Sequence, residues 1–411
     1  MPNSKPANAA RKYAILAAEN FAAVPIHEAL QKAPLTAQES ALAREIAAGM
    51  VRRLLTIKYF ARKLHKTLRL NRREKALLFS AIYQYVFMDS IPTYAIIDET
   101  MLIAKEWFGQ KKARFFYAIL QKLSDLDLSV PGKNTAYDLS LRLSYPPYFI
   151  KKMLEEYGVK KTISLLDIMN MPSALNLRIR KNLKEKPADP LRLKKKKRLY
   201  GQVFSASFDP CLTDRSDVYI QNVTPCYLFD ALRKGYRKQP TSILDLCASP
   251  GGKLLLFHYA FPEAKLHAND VSRKKIERLQ QNLAKYHVAA VTTEQRGEEF
   301  QSKEKYDLII IDAPCSNSGV YHKRAEARWR FTREVLEELS DLQAALLENS
   351  VRYLQEGGEI WYMTCAILHE ENEETLHFAN TLGLTCRTQE KILPNEKGWD
   401  GGFAAAFVYN N

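Results

Sequence analysis

Several things are missing from this chain of 411 residues, and each absence narrows what it can be. No run of about 18 apolar residues occurs, so no helical membrane span is indicated. The opening Met1-Pro2-Asn3-Ser4-Lys5-Pro6 has no apolar signal core, and a cytoplasmic setting is expected. The six cysteines, Cys211, Cys226, Cys247, Cys315, Cys365 and Cys386, include no Cys-x-x-Cys pair. That spacing argues against a zinc site or a disulfide framework, so no metal is expected and the thiols stay available for chemistry. Neither the dinucleotide pattern G-x-G-x-x-G nor a Walker A loop is present.

Acidic residues are scarce in one half only. Residues 1–200 hold 37 Lys+Arg against 17 Asp+Glu, about +20, while the remainder holds 24 against 29, about −5. A merely solubilising surface explains net charge well but a one-sided distribution poorly. A polyanion-binding half joined to a different kind of domain explains both.

What is present begins with helices. Residues 11–21, 37–55, 58–68, 72–88, 94–107 and 111–123 carry apolar residues at helical spacing, broken at Pro25, Pro34, Asn71 and Pro92. Basic clusters (Arg52-Arg53, Arg62-Lys63, Arg69, Arg72-Arg73, Lys111-Lys112) mark this bundle for binding rather than catalysis. Residues 129–144 read as a linker, 148–157 and 161–169 as helices, and 174–179 as a strand. The run Lys194-Lys195-Lys196-Lys197-Arg198 is the densest charge in the chain and is expected to meet phosphate. From about 218 strands and helices alternate, the pattern of a mostly parallel sheet. The last residues, 406–409, read as an edge strand.

The chemistry gathers at strand ends. Ile243 to Leu246 leads into Cys247-Ala248-Ser249-Pro250-Gly251-Gly252-Lys253 and then a helix. Adjacent glycines let the backbone pass close to a ligand, and a helix start offers free N–H groups. Asp270, about 20 residues on at the next strand end, is placed to accept hydrogen bonds from a ribose. Asp312-Ala313-Pro314-Cys315 and Met363-Thr364-Cys365 end two further apolar strands. Two cysteines and an aspartate facing one crevice form an unusual set, because a thiolate is a nucleophile that needs no separate triad.

Three segments, Asp245–Lys253, Asp312–Gly319 and Met363–Asn372, together resemble the cytosine-5 RNA methyltransferases of the RsmB/Sun family. Ser249 stands where that family usually has alanine, and Ala366 replaces a serine after Thr364-Cys365. The ending Gly398-Trp399-Asp400-Gly401-Gly402-Phe403 is similar to the family's Gly-Asp-Gly-Phe-Phe, and Tyr83-Gln84 with Ile91-Pro92-Thr93-Tyr94-Ala95 is similar to its NusB-like domain. The resemblance implies a multidomain chain: an N-terminal all-α NusB-like RNA-binding bundle over 1–130, a small basic α/β connector over 140–217, and a C-terminal α/β Rossmann-like methyltransferase domain over 218–411. It further implies methylation of cytosine carbon 5, with Cys365 as the nucleophile, Cys315 assisting product release and Asp312 stabilising the cytosine. S-adenosyl-L-methionine is the implied cofactor, held by Cys247, Ala248, Ser249, Pro250, Gly251, Gly252, Lys253, Asp270 and Asp312. Ungapped counting puts Arg296 where the family carries an aspartate near the adenine; Glu298 is the nearby substitute. His322-Lys323-Arg324-Ala325-Glu326 stands where Arg-Arg-His-Pro-Asp is common, and Gln221-Asn222 where Gln-Asp is usual. The expected partner is RNA, as small-subunit ribosomal RNA or an assembly intermediate, with the protein a monomer and no membrane involved. Two alternatives stay open: a transfer-RNA cytosine-5 methyltransferase, and a non-catalytic RNA-binding assembly or antitermination factor.

Overall fold

The computed structural model describes residues 9–65, 69–171, 175–179, 194–199, 201–206 and 215–409. The chain forms two compact units, one comprising residues up to Asn170 with Arg324–Arg330, the other Met171–Lys323 with Phe331 onward. The residues expected as a separate connector, 140–217, are shared between them. Most of its strongly basic part, residues 180–193, lies outside the described residues, as do Cys211 and residues 1–8.

The first unit is helical throughout its described residues: α1 (Ala9–Glu19), α2 (Ile26–Gln31), α3 (Ala37–Arg52), α4 (Leu54–Leu64), α5 (Arg72–Phe87), α6 (Thr93–Leu120), α7 (Ala136–Leu143) and α8 (Pro147–Ile168). Helix starts are written in side-chain chemistry. Thr36 and Asn71 each accept the N–H of a glutamate three residues on, and that glutamate reaches back, a reciprocal cap at α3 and α5. Gly109 and Gly158, both at positive φ, break α6 and α8 into the shorter helices expected from the pattern. The supposed linker 129–144 contains α7, because Thr135 caps it and Leu139 and Leu143 are buried. The helix expected over 58–68 starts earlier, as α4, and 66–68 lie outside the described residues.

Arg328 organises this unit from a distant point in the sequence. Its guanidinium is fully buried and lies 3.9 Å from the Tyr145 ring centre. It donates to the Arg52 carbonyl at 3.2 Å, the Ser144 carbonyl at 3.3 Å and Asn170 Oδ1 at 2.9 Å. Those groups follow or end α3, α7 and α8, so one cation serves three helix C-termini, the negative ends of their dipoles. Trp329 Nε1 donates to the Val51 carbonyl beside it.

The second unit holds two sheets. In the smaller, β1 (Leu175–Ile179), β2 (Lys194–Leu199), β3 (Gly201–Ala206) and β4 (Val218–Ile220) pair antiparallel in the order β2-β3-β1-β4. The Lys194–Arg198 run thus lies on a strand. The larger sheet has seven strands in the order β10-β11-β9-β8-β5-β6-β7. Its elements in sequence are α9 (Val223–Arg233), β5 (Ser242–Asp245), α10 (Gly252–Ala260), β6 (Lys265–Asp270), α11 (Arg273–Lys285), β7 (Val291–Glu294), β8 (Tyr306–Asp312), α12 (Arg333–Val351), β9 (Leu354–Thr364), α13 (Glu373–Thr381), β10 (Leu384–Ile392) and β11 (Gly402–Tyr409).

Strands β7-β6-β5-β8-β9 run parallel, and β11 and β10 add antiparallel. Alternate residues feed opposite cores, as strand period demands. Ile243, Leu308, Ile310, Trp361 and Met363 pack on one face, and Leu244, Ile309, Ile311, Ile360 and Tyr362 on the other. The final strand is therefore not an edge: β11 lies between β9 and β10, and Phe403 to Phe407 are buried. The edges are β7 and β10, which are short of apolar residues and were not legible as strands.

Replacing Arg328 by Met keeps an unbranched apolar stem but leaves three helix ends without their cation. Urea unfolding followed by circular dichroism is expected to show a loss of about 2 kcal/mol in the helical unit. An unchanged midpoint would contradict this role.

Candidate active site at the carboxyl ends of the parallel strands

The chain winds outward in opposite directions from β5 and β8, and these neighbours open a crevice beyond their carboxyl ends. Asp245 ends β5, Asp270 ends β6, Asp312 ends β8 and Thr364 ends β9. The expected site residues follow these four points.

On one side lies the glycine turn. Ala248 N–H donates to the Asn269 carbonyl at 2.9 Å, and Ser249 N–H to Asp270 Oδ2 at 2.9 Å. Ser249 Oγ donates to the Lys275 carbonyl at 3.0 Å, while the Pro250 carbonyl accepts from Asn282 Nδ2 at 2.7 Å. The turn is thus tied to β6 and α11. Gly251, at φ +102, adopts the left-handed backbone that starts α10, and no side chain caps that start. Its first N–H groups therefore stay available. From the smaller sheet, buried Arg178 lies between the Tyr219 and Tyr259 rings and donates to the Gly252 carbonyl at 3.2 Å. A Cβ on Gly252 would meet Tyr219 Oη at 2.8 Å, so close packing requires glycine there.

Asp270 is buried and accepts also from Val271 N–H at 2.7 Å and pairs with Lys275 Nζ at 3.0 Å. It is not the cap of α11; Ser272 holds that position. Asp245 accepts the Cys247 N–H at 3.3 Å through Oδ1, and its buried Oδ2 has no partner. Burial, and then the charge of Asp312, push the Asp245 carboxyl up to about 8. Glu298 lies on the short turn Gly297–Glu299 and pairs with Arg296. A Cβ on Gly297 would lie 3.7 Å from Cys247 Sγ, which places this turn against the glycine-loop cysteine.

Lys253 crosses to the other side, pairing with Asp312 Oδ2 at 2.5 Å. Burial by itself would lower its pKa, but Asp312, then Cys365 and Asp245, outweigh burial and raise it. Lys253 therefore remains a cation within electrostatic reach of Cys365.

The two cysteines meet. Cys315 Sγ and Cys365 Sγ are 3.2 Å apart, and Cys365 Sγ is also 3.5 Å from Asn317 Oδ1. The contact with Cys365, followed by burial and the nearby Glu371, drives the Cys315 thiol well above its usual range. Cys315 accordingly keeps its proton. That favours an arrangement in which it donates to the other sulfur.

The residues that make this meeting possible carry no chemical signature of their own. Glu371 accepts Ser316 N–H at 2.6 Å and Ser316 Oγ–H at 2.5 Å. Gly319 N–H donates to the Cys365 carbonyl at 2.9 Å, and Ile367 N–H to Ser318 Oγ at 3.0 Å. A Cβ on Gly319 would fall 2.6 Å from the Cys365 carbonyl oxygen and 2.7 Å from Gly401 Cα. Asn372 accepts from Thr364 Oγ1 at 2.7 Å and donates to the Ala366 carbonyl at 3.2 Å, pinning the turn at Cys365.

A third loop closes behind. Gly401 N–H donates to the Gly319 carbonyl at 2.8 Å, and Asp400 binds His322 Nε2 and Lys323 Nζ, each at 2.7 Å. Asn222, where aspartate is usual, still caps α9 and holds Asp400 N–H at 3.0 Å. The residues at these departures, His322, Lys323 and Asn222, all bond to the tail loop.

Comparisons with known proteins give matches for both parts of the chain. Residues 236–408 match the family model described as 16S rRNA methyltransferase RsmB/F, and residues 8–125 match that of the NusB family. A probable ribosomal RNA small subunit methyltransferase B of Bacillus subtilis (strain 168) is 24% identical over 393 residues, 88% of this chain and 86% of that protein. The ribosomal RNA small subunit methyltransferase B of Proteus mirabilis (strain HI4320) is 32% identical over 168 residues, and the match spans 40% of each chain. The crystal structure of PH0851 superposes with a TM-score of 0.80 at 20% identity, covering 98% of this chain and 99% of that one. A methyltransferase homolog protein from Pyrococcus horikoshii gives 0.57 at 21% identity, covering 68% and 100%. At such identity these structures share the fold. Among the described residues no helix is long and apolar enough to cross a membrane.

Burial outweighs the two bonds from Ser316 and raises Glu371 to about 7. Between the unfolded value near 4.5 and 7 the folded chain holds a proton that the unfolded chain releases. Its contribution is therefore full below about pH 4.5 and lost as pH rises through 7. Urea unfolding at pH 5 and pH 7.5 is expected to show the wild type losing about 2 kcal/mol relative to Glu371→Gln over that interval. A difference that does not change with pH would contradict the assignment.

Proposed function

Because residues 236–408 match the family model of the 16S rRNA methyltransferases RsmB/F and residues 8–125 that of the NusB family, we propose that the chain methylates carbon 5 of a cytosine in small-subunit ribosomal RNA. The observation that carries this reading is the 3.2 Å approach of Cys315 and Cys365 beside the Asp312–Lys253 pair. Carbon 5 of cytosine is a poor nucleophile; one thiolate adding to carbon 6 activates it, and a second thiol beside the first can assist its release.

The cofactor is S-adenosyl-L-methionine, which when bound supplies an electrophilic methyl group. The residues on the β5, β6 and α10 side fit it. The uncapped start of α10 offers N–H groups to a carboxylate, the unpartnered Asp245 Oδ2 offers an acceptor or donor, and Asp270 and Glu298 supply further oxygens. Gly251-Gly252 keep the backbone bare where that molecule passes.

Cys365 attacks carbon 6 of the cytosine as a thiolate, forming a carbon–sulfur bond and leaving carbon 5 as the nucleophilic end of an enamine. Lys253 stands within electrostatic reach of that sulfur. Asp312 accepts from the exocyclic amine and holds the ring, and Lys253 offsets its charge. Once carbon 5 carries the transferred methyl group, loss of its proton to water would break the bond to Cys365 and restore the aromatic ring, with the Cys315 thiol in place to donate to the departing sulfur. The target base must leave any stack to reach the crevice.

Assays on small-subunit ribosomal RNA with bisulfite mapping test this. Cys365→Ala is expected to lower methyl transfer by at least about a thousandfold, the scale of a lost nucleophile. Cys315→Ala is expected to accumulate a denaturant-resistant protein–RNA adduct. If neither substitution changes methylation, the mechanism is wrong; if the protein binds RNA and never methylates it, the enzymatic reading is wrong.

A further inference from the structure

A site far along the chain from the cysteines has no place in that mechanism. It lies on α4 and α5 of the helical unit. Two adjoining hollows, of about 310 and 360 Å³, share Lys58, Lys75 and Phe79 in their walls. Ala61, Leu70 and Leu78 with half-buried Phe79 give the second an apolar lining, and Arg62 and His65 complete its rim.

The cations here are not matched by acids, although several of their neighbours are. Arg73 pairs with Glu19, Lys112 with Glu74, Lys63 with Asp127 and Lys12 with Glu106. Lys58, Arg62 and Lys75 have no carboxylate partner among the described residues. Glu19 lines the outer end of the first hollow but is taken by Arg73. Lys58 and Arg62 are four residues apart on α4, where like charges repel and weaken a helix. His65, one turn further, has a buried Nδ1 without a partner. Partial burial, then Arg62 and Lys75, hold Lys58 below the ordinary lysine range, and no neighbouring acid opposes them. Helix α4 therefore keeps a repulsive cluster above an apolar floor, which is costly unless an anion arrives.

We propose that Lys58, Arg62, His65 and Lys75 form a clamp for a single-stranded stretch of RNA, the cations meeting successive phosphates and Phe79 offering its ring to a base. This rests on the reading that the chain acts on RNA, and it assigns the helical unit a defined site for it. An acidic peptide would satisfy the cations but leave the apolar floor unused; a single strand uses both. The excess of about +20 over residues 1–200 supplies the long-range attraction, and the clamp supplies the local register.

The test uses the full chain and a fluorescein-labelled 12-nucleotide single-stranded RNA, with binding read by polarisation across a salt series. The triple variant Lys58→Gln, Arg62→Gln, Lys75→Gln is expected to bind at least about tenfold more weakly. Its slope of log affinity against log salt is expected to fall by about 2, the share of three contacts on a single strand. Circular dichroism reports on the variant's fold, and a control variant with Lys105, Lys122 and Lys133 changed to Gln removes equal charge elsewhere. An affinity and slope unchanged in the folded triple variant would overturn the clamp, as would an equal loss in the control. So would a polyglutamate peptide that displaces the RNA at lower concentration than unlabelled RNA does. Methyl transfer measured on the same preparations separates the two readings. Clamp-dependent binding without methyl transfer sinks the enzymatic reading alone, and methyl transfer with clamp-independent binding sinks the clamp alone.

Discussion

Everything in the catalytic unit depends on holding two loops, fifty residues apart in sequence, close enough for their sulfurs to touch. Glu371 does this from one side, taking both donors of Ser316, and the Gly319–Cys365 and Ser318–Ile367 bonds do it from the other. Because a Cβ at Gly319 would collide with the Cys365 carbonyl, the approach on that second side is set by backbone against backbone. Buried, doubly bonded and near neutral, Glu371 is a strong constraint. The 3.2 Å sulfur contact is its consequence. The raised Cys315 thiol follows in turn, so the same constraint that builds the site also separates the roles proposed for the two cysteines.

The parallel sheet supplies the other half of the arrangement. Strand period sends alternate residues of β5, β8 and β9 into two cores, leaving only their carboxyl ends for polar groups. Asp245, Asp312 and the two cysteines are polar at the points where the apolar runs stop. Lys253 joins the two sides, as the residue that belongs to the glycine turn by sequence and to Asp312 by contact. The Arg178 contact to Gly252 extends the framework to the smaller sheet, so the glycine turn is braced from β1 as well as from β6.

Much of this was legible in the residues themselves. Asp312, Cys315 and Cys365 stood out because nucleophile and carboxylate types at strand ends are chemically unusual, and the structure brings them together. Ser316, Gly319 and Glu371 fell within the segments that carried the resemblance, but their part in joining the two loops was not legible, because a hydrogen bond between distant loops leaves no local pattern. The helices were legible from apolar period and caps. Strands β7 and β10 were missed because exposed edge strands carry too few apolar residues to alternate, and β11 was read as an edge although its small residues, Ala404 to Ala406, fill an interior position. Residues 324–330 could not have been assigned to the helical unit from sequence, since Arg328 is one charge among many until three helix ends surround it.

The account stands on the claim that Cys365, and not Cys315, bonds to the base. Incubating the protein with S-adenosyl-L-methionine and small-subunit RNA carrying 5-fluorocytidine blocks loss of the carbon 5 substituent and leaves the enzyme attached. Digestion and mass spectrometry then identify the peptide that carries the nucleotide. The account predicts a methylated fluorocytidine on the peptide containing Cys365. The same mass on the peptide containing Cys315 would contradict it.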